Sequence, residues 1–284
     1  MIYDCFNFFN ELDLLEIRLN TLYEYVDKFV LVESNKTHSG LAKDFIYDKN
    51  KDRFSKFLDK IIHIKLTDVP DNFSNLSYTE DVEYNKIINF INNTSAFNKH
   101  TQPHYGRDFY QKEAIRFGLR DCCENDIIIS SDCDEIINPK VLKYCDKLNL
   151  DKKNYTLNQK FYMYYFNVLN TTETPWYGSR IGLYKNVKDY SFNLLRSEKL
   201  ESIASGGWHF SYMGGYEKIR EKIKSYSAQE FNNSRVVDNI ENRVDSNIDI
   251  LGRGHIFKIQ NIDESFPSYI EQNKTKFKQY IKHE

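Results

Sequence analysis

The sequence predicts an α/β fold with a Rossmann-like, mostly parallel central sheet flanked by helices, and three observations carry the prediction. Apolar runs of strand length at residues 3–9, 27–34 and 60–66 alternate with segments of helical periodicity. The run "DKFVLVES" is apolar at consecutive positions, as in strands buried on both faces. A fourth run, 126–130, ends in a knot of acids, and open α/β sheets bind ligands at the carboxyl ends of their strands.

The elements follow in order. After the first strand, Leu12, Leu15, Leu19, Leu22 and Val26 recur at three- and four-residue spacing and define an amphipathic helix. Residues 67–105 are polar and irregular apart from a helix near 80–91, and are expected to form a mobile insertion. "RDFYQKEAIRFGLRDC" reads as a helix with Phe109, Ala114, Ile115 and Leu119 on one side and Lys112 on a solvated face. Pro139 stands at the first position of a further helix. "YTLNQKFYMYYFNVLN" reads as one long aromatic strand, followed by strands at 180–184 and 203–210 and helices at 215–225 and 236–247. No repeat or linker interrupts the chain, so one domain spanning 1–284 is expected, with a nucleotide-binding front half (1–135) and a mixed back half (136–284).

Composition narrows the function. A chain of 284 residues that is 40% apolar can bury a sizeable core. A net charge of −2 argues against a general electrostatic mode of binding nucleic acid or anionic membrane. Cys5, Cys122, Cys123, Cys133 and Cys145 form no C-x-x-C pair, which points to free thiols in a reducing compartment. No apolar run approaches the ~18 residues of a membrane span, and "MIYDCFNFFNELD" lacks the basic start of a signal peptide. A soluble, cytoplasmic protein is the expectation.

Three stretches carry chemistry. In "IIISSDCDEI", Asp132 and Asp134 lie two residues apart, so an extended backbone presents both carboxylates on one side. Two hard oxygen donors there suit Mg2+ or Mn2+, which would hold a ligand's phosphates. On spacing alone, a strand that has simply reached the surface explains the acids as well. Glu135 either supports the pair or caps the turn into Pro139. In "SGGWHFSYMGG", Gly206 and Gly207 would let backbone N–H groups approach an anion, and Gly214-Gly215 precede a helix whose N-terminus favours phosphate. His209 between them reads as a metal ligand, a phosphate contact or a core histidine. In "HYGRDFYQKEAIRFG", Arg107 is placed to reach a diphosphate.

Together with the N-terminal "IYDCFNFFNELDLLEIRLNTLYEYVDKFVLVESNKTHSG", these stretches resemble glycosyltransferase family 17, the family of the β-1,4-mannosyl-glycoprotein N-acetylglucosaminyltransferases. The resemblance covers roughly residues 2–255. It implies a GT-A fold, a divalent metal (Mn2+ or Mg2+), a UDP-N-acetylglucosamine donor, a glycan acceptor and inversion at the anomeric carbon. Carried over residue by residue, Asp132 and Asp134 look like the D-x-D pair on metal and diphosphate. Phe6, Asn7 and Glu33 would lie near the uridine, and His209 would face the phosphates or the metal. Arg107 and Gly207 join the expected donor side. Animal members carry a membrane anchor and stem that this sequence does not show, so a microbial or viral enzyme acting on a different glycan is expected.

Inversion also requires a general base. Glu230, Glu173 and Glu198, all in the back half, are the candidates, and Trp176 and Tyr177 would either stack on an acceptor sugar or pack the core. Two rival readings remain at this point. A sugar nucleotidyltransferase also sets carboxylates and Mg2+ at a strand end, and a glycan-binding module with a decayed site would need neither metal nor nucleotide.

Overall fold

The computed structural model describes residues 1–283. Among them, ten strands join one sheet: β1 (Ile2–Phe8), β2 (Lys28–Ser34), β3 (Ile61–Leu66), β4 (Ile127–Asp132), β5 (Glu135–Ile137), β6 (Tyr155–Met163), β7 (Val168–Asn170), β8 (Arg180–Leu183), β9 (Ser202–Ser211) and β10 (Phe257–Ile259). The main order is β10-β7-β6-β8-β4-β1-β2-β3, with β9 pairing β6 and β5 pairing β9. This is a mixed α/β fold with a large central sheet.

The front of the sheet is parallel, as the alternating pattern predicts. β1 lies between β2 and β4, and β2 pairs β3, all in the same direction. Both faces are covered, which explains the consecutive apolar residues. On one side Phe6, Leu31 and Ile129 pack with Leu15 and Leu19 of the Leu12–Leu22 helix. On the other, Cys5, Val30, Val32 and Ile128 pack against Ile115 and Leu119. No helix of the described residues is long and apolar enough to cross a membrane.

The back half departs from the mostly parallel expectation. β8 runs antiparallel to β4 and β6, β7 to β6, β10 to β7, and β5 to β9; only β6 and β9 are parallel there. Of these antiparallel pairs, β6–β7 is made by a tight reversal; the others join strands distant in sequence. That reversal splits the expected long strand 155–170. The chain turns at Tyr164, whose φ is 69°, and β7 folds back on β6. Buried Tyr164 and Phe166 occupy the turn, so its apolar character hid it.

Two other segments differ from expectation. Residues 67–105, read as a mobile insertion, are packed: Val69, Phe73, Ile87, Ile91 and Phe97 join the core on the β2 face. The Val82–Asn93 helix inside it is capped by the Asp81 carboxylate, which accepts from the backbone of Glu83 and Tyr84. The helix expected at 236–247 is two short ones, Ser234–Val237 and Ile240–Asp245.

Gly207 has a structural role that differs from anion access. It pairs with Ile137 of β5, and a Cβ at this position would stand 2.1 Å from the Ile136 carbonyl oxygen, at a φ of +144°. Gly207→Ala is therefore expected to lose roughly 2–4 kcal/mol of unfolding free energy, measured by urea denaturation. A variant as stable as the parent would contradict this account of the β5–β9 approach.

Candidate active site

The site is organised by a buried arginine. The Leu12–Leu22 helix turns Arg18 under the sheet, where it is fully buried. Its guanidinium donates to both Asp4 carboxylate oxygens at 2.7 and 2.5 Å and to Ser131 Oγ at 2.5 Å. Its Nη1 donates to the carbonyls of Asp132 (2.9 Å), Cys133 (3.3 Å) and Glu135 (2.9 Å). The group lies 4.3 Å from the centre of the Phe6 ring. Three carbonyls gathered on one cation define a tight turn between β4 and β5. Cys133 packs into the core, while Asp132 and Asp134 line a cleft of about 420 Å3. The two carboxylates share one side as the sequence predicts, but through this turn and not through an extended strand.

Strand pairing completes the wall. Glu135 sits opposite His209 in the β5–β9 register, and the Phe210 N–H donates to the Asp134 carbonyl at 2.8 Å. His209 Nε2 thereby stands 3.6 Å from Asp134 Oδ1. The imidazole stacks on Phe161 (4.4 Å between centres, 5° between planes) and meets Trp176 at 4.7 Å. Glu135 proves to be a support. It is fully buried and accepts from the Asp132 N–H (3.0 Å), Trp176 Nε1 (2.6 Å) and Arg196 (2.6 and 2.9 Å).

Three cations surround the acids, and two of them carry no signal in the sequence. Arg196, on the short Phe192–Ser197 helix, bridges Glu135 and Asp132 Oδ2 (2.8 Å). Lys112 stands 3.3 Å from Asp132 Oδ1, which corrects its assignment to a solvated face. Lys222 stands 3.0 Å from Asp134 Oδ2. Gly214 and Gly215, both at positive φ, reverse the chain from β9 into the Gly215–Ser225 helix, which carries Lys222 back over the turn. Burial pushes the Asp132 carboxyl up, but Arg196 and Lys112 outweigh it and hold the group well below the usual carboxylate range. For Asp134 the same opposition is decided by Lys222 and His209, again downward.

The remaining predicted residues divide by position. Asn7, at the end of β1 and in register with Asp132, lines the cleft. Trp176 and Glu173 also line it. Phe6 does not: it is core, beneath Arg18. Glu33 is likewise fully buried, accepting from Lys43 (3.2 Å), the Tyr47 N–H (3.1 Å) and facing His63 (3.0 Å). Arg107 is buried and donates to the His38 carbonyl at 2.7 Å, so it fixes the loop behind the cleft and does not reach into it. Glu230 accepts from the Tyr105 hydroxyl at 3.0 Å, outside the cleft lining. Glu198 and exposed Tyr177 are outside it as well. The lining includes Ser34, Thr37, His38 and Asp108, none of which the motifs single out.

Among the described residues, no group of three or more His, Cys, Asp or Glu side chains has metal-binding geometry. Asp134 and His209 form a partial set of one carboxylate and one imidazole donor; the carboxylate is the oxygen type that Mn2+ and Mg2+ take, and the imidazole is not. The Lys222 ammonium against Asp134 marks where the turn already accepts positive charge. Of the three expected ligands, Asp132 is committed to Arg196 and Lys112.

A pH dependence follows from these ion pairs. Carboxyls whose folded pKa lies below the unfolded value of about 3.9 stabilise the fold fully above that pH. The contribution is lost as pH falls through the depressed folded values. Asp134→Asn is therefore expected to flatten the loss of unfolding free energy between about pH 4 and pH 2, by up to about 1.4 kcal/mol per pH unit. Urea titrations at each pH measure it, and an unchanged slope contradicts the assignment.

A search of curated proteins returns no match. Among solved structures, the crystal structure of S. aureus TarS 1-349 is similar at 11% identity and a TM-score of 0.37, covering 86% of this chain and 72% of that one. The sequence profile of "Glycosyltransferase family 17" matches residues 1–278. The match takes in β1, the Arg18 helix, the acidic turn, β9 and the Lys222 helix, so the chain belongs to glycosyltransferase family 17 and is a glycosyltransferase.

Proposed function

We propose that this glycosyltransferase is a metal-dependent, inverting enzyme of GT-A type that moves N-acetylglucosamine from UDP-N-acetylglucosamine to a glycan hydroxyl. The carrying observation is the Asp132–Asp134 turn at the carboxyl ends of β1 and β4, ringed by Lys112, Arg196 and Lys222 within one cleft. The position is where open α/β sheets bind nucleotides, and family 17 membership supports the donor sugar. Membership in a glycosyltransferase family also sets aside the nucleotidyltransferase and binding-module readings.

The chain's own residues divide the work. Asn7 offers a buried, unpartnered Oδ1 to a donor on the nucleotide. Lys112, Arg196 and Lys222 supply positive charge for the diphosphate. Asp134, with His209 beside it, would hold Mn2+ or Mg2+, which when bound neutralises charge on the leaving diphosphate. Trp176, fixed by its hydrogen bond to Glu135, presents an aromatic wall for a sugar. The front half, 1–135, supplies the acidic turn, Asn7 and Lys112 on the nucleotide side; the back half, 136–284, sends His209, Arg196 and Lys222 to the diphosphate and would otherwise face the acceptor. A second reading has a specific basis: the three cations alone could neutralise the diphosphate, with no ion required.

Calorimetry with UDP and Mn2+ tests both. The proposal expects Asp134→Ala to weaken UDP binding in Mn2+ by at least about 100-fold, roughly 2.7 kcal/mol, and chelation to do the same to the parent. Affinity unmoved by chelation selects the metal-free reading, and an Asp134→Ala variant that binds UDP and turns over donor like the parent overturns the role of the turn.

A further inference from the structure

We infer that Glu173 is the general base that takes the proton from the attacking hydroxyl; this rests on the inverting-transfer reading above. The cleft holds five carboxylates, and four are committed elsewhere. Asp132 and Asp134 are bound to cations. Glu11 caps its own turn, its Oε2 accepting from the backbone of Phe9 and Asn10 at 3.0 Å each. Asp108 accepts from Ser227 Oγ at 2.7 Å and faces His38 at 3.9 Å. Glu173 alone among them keeps a buried oxygen, Oε2, without a partner. It also sits on the segment that carries Trp176, and the neighbouring Thr174 hydroxyl accepts from the Phe161 N–H, tying this segment to the wall on which His209 stacks.

The other oxygen faces His255, whose tautomer is set by a chain of hydrogen bonds of fixed direction. The backbone N–H groups of Thr172 and Glu173 both donate to Asn170 Oδ1 at 3.0 Å, which orients the amide. Asn170 Nδ2 must then donate to His255 Nδ1, 3.0 Å away. An imidazole that accepts at Nδ1 carries its proton on Nε2. That N–H faces Glu173 Oε1 at 3.3 Å. Arg253 Nη1 stands 3.9 Å from the same oxygen, and Arg253 is itself bound to Asp249, whose carboxylate also lies 3.9 Å from His255 Nδ1. Glu173 thus has one oxygen, Oε1, facing the His255 and Arg253 side chains and a second, Oε2, buried without a partner. Asn170 and His255 are positioning residues.

The step balances without further reagents. Glu173 removes the acceptor O–H proton as that oxygen bonds to the anomeric carbon, and the bond from this carbon to the diphosphate oxygen breaks, its electron pair leaving with UDP. The proton on Glu173 then passes to solvent. With water as acceptor the same step is donor hydrolysis, so no glycan need be identified to test it.

The experiment measures UDP release from UDP-N-acetylglucosamine to water in Mn2+, alongside UDP affinity by calorimetry, for the full chain. Glu173→Gln is expected to lower release at least 100-fold while UDP affinity stays within threefold. His255→Ala is expected to lower release at least tenfold, and His255→Gln, whose amide N–H can still face Glu173, to restore most of it. Release by Glu173→Gln at the parent rate, with UDP still bound, overturns Glu173 as the base and leaves the transferase reading standing. A parent chain that neither binds UDP nor releases it overturns the donor reading, and the inference falls with it.

Discussion

The cleft depends on one buried cation. Arg18 spends its hydrogen-bonding capacity on a single carboxylate, one hydroxyl and three backbone carbonyls, and those carbonyls belong to the turn that presents Asp132 and Asp134. A fully buried guanidinium is costly unless every donor is matched, and removing one partner of such a pair typically costs 3–5 kcal/mol. The arrangement makes the turn's backbone rigid before any ligand arrives, so the side chains are free to carry charge outward. Asp4, at the other end of the guanidinium, ties this turn to the middle of β1, the strand whose end supplies Asn7. A single side chain thereby couples the first strand, the first helix and the acidic turn.

Outside that anchor the site is an alternation of charge. Glu135 is buried on the turn and takes Arg196, which also reaches Asp132; Lys112 and Lys222 complete the ring. Each acid is held ionised by a neighbouring cation, and each cation is held in place by an acid. In the proposed donor complex an incoming diphosphate would meet preformed positive groups and need not organise them, which is the condition under which electrostatic stabilisation is most effective. The side proposed for the acceptor is built differently, from aromatic rings and from Glu173 facing the Asn170–His255 pair.

Much of the fold was legible because the parallel strands are apolar at consecutive positions and the Leu12–Leu22 helix keeps a regular period. The mixed back half was not, because its reversal at Tyr164 is made by buried aromatics with no glycine or proline to mark it. At the site, the Asp132–Asp134 spacing and His209 were readable as local motifs. Arg196 and Lys222 were not, since each reaches the turn from more than 60 residues away and looks like an ordinary surface cation in its own helix. Phe6, Glu33 and Arg107 show the opposite error. They stand beside the functional segments in sequence, yet the strand pleat and the helix rotation turn them into the core, where they shape the walls from behind.

The most direct test of the central claim is a crystal structure of the protein with UDP and Mn2+, with the ion located by its anomalous scattering. The account predicts the diphosphate over the Asp132–Asp134 turn, the ion against Asp134, and the carbonyls of Asp132, Cys133 and Glu135 still gathered on Arg18. A nucleotide bound away from this turn, or a turn released from Arg18 when the nucleotide binds, would contradict it.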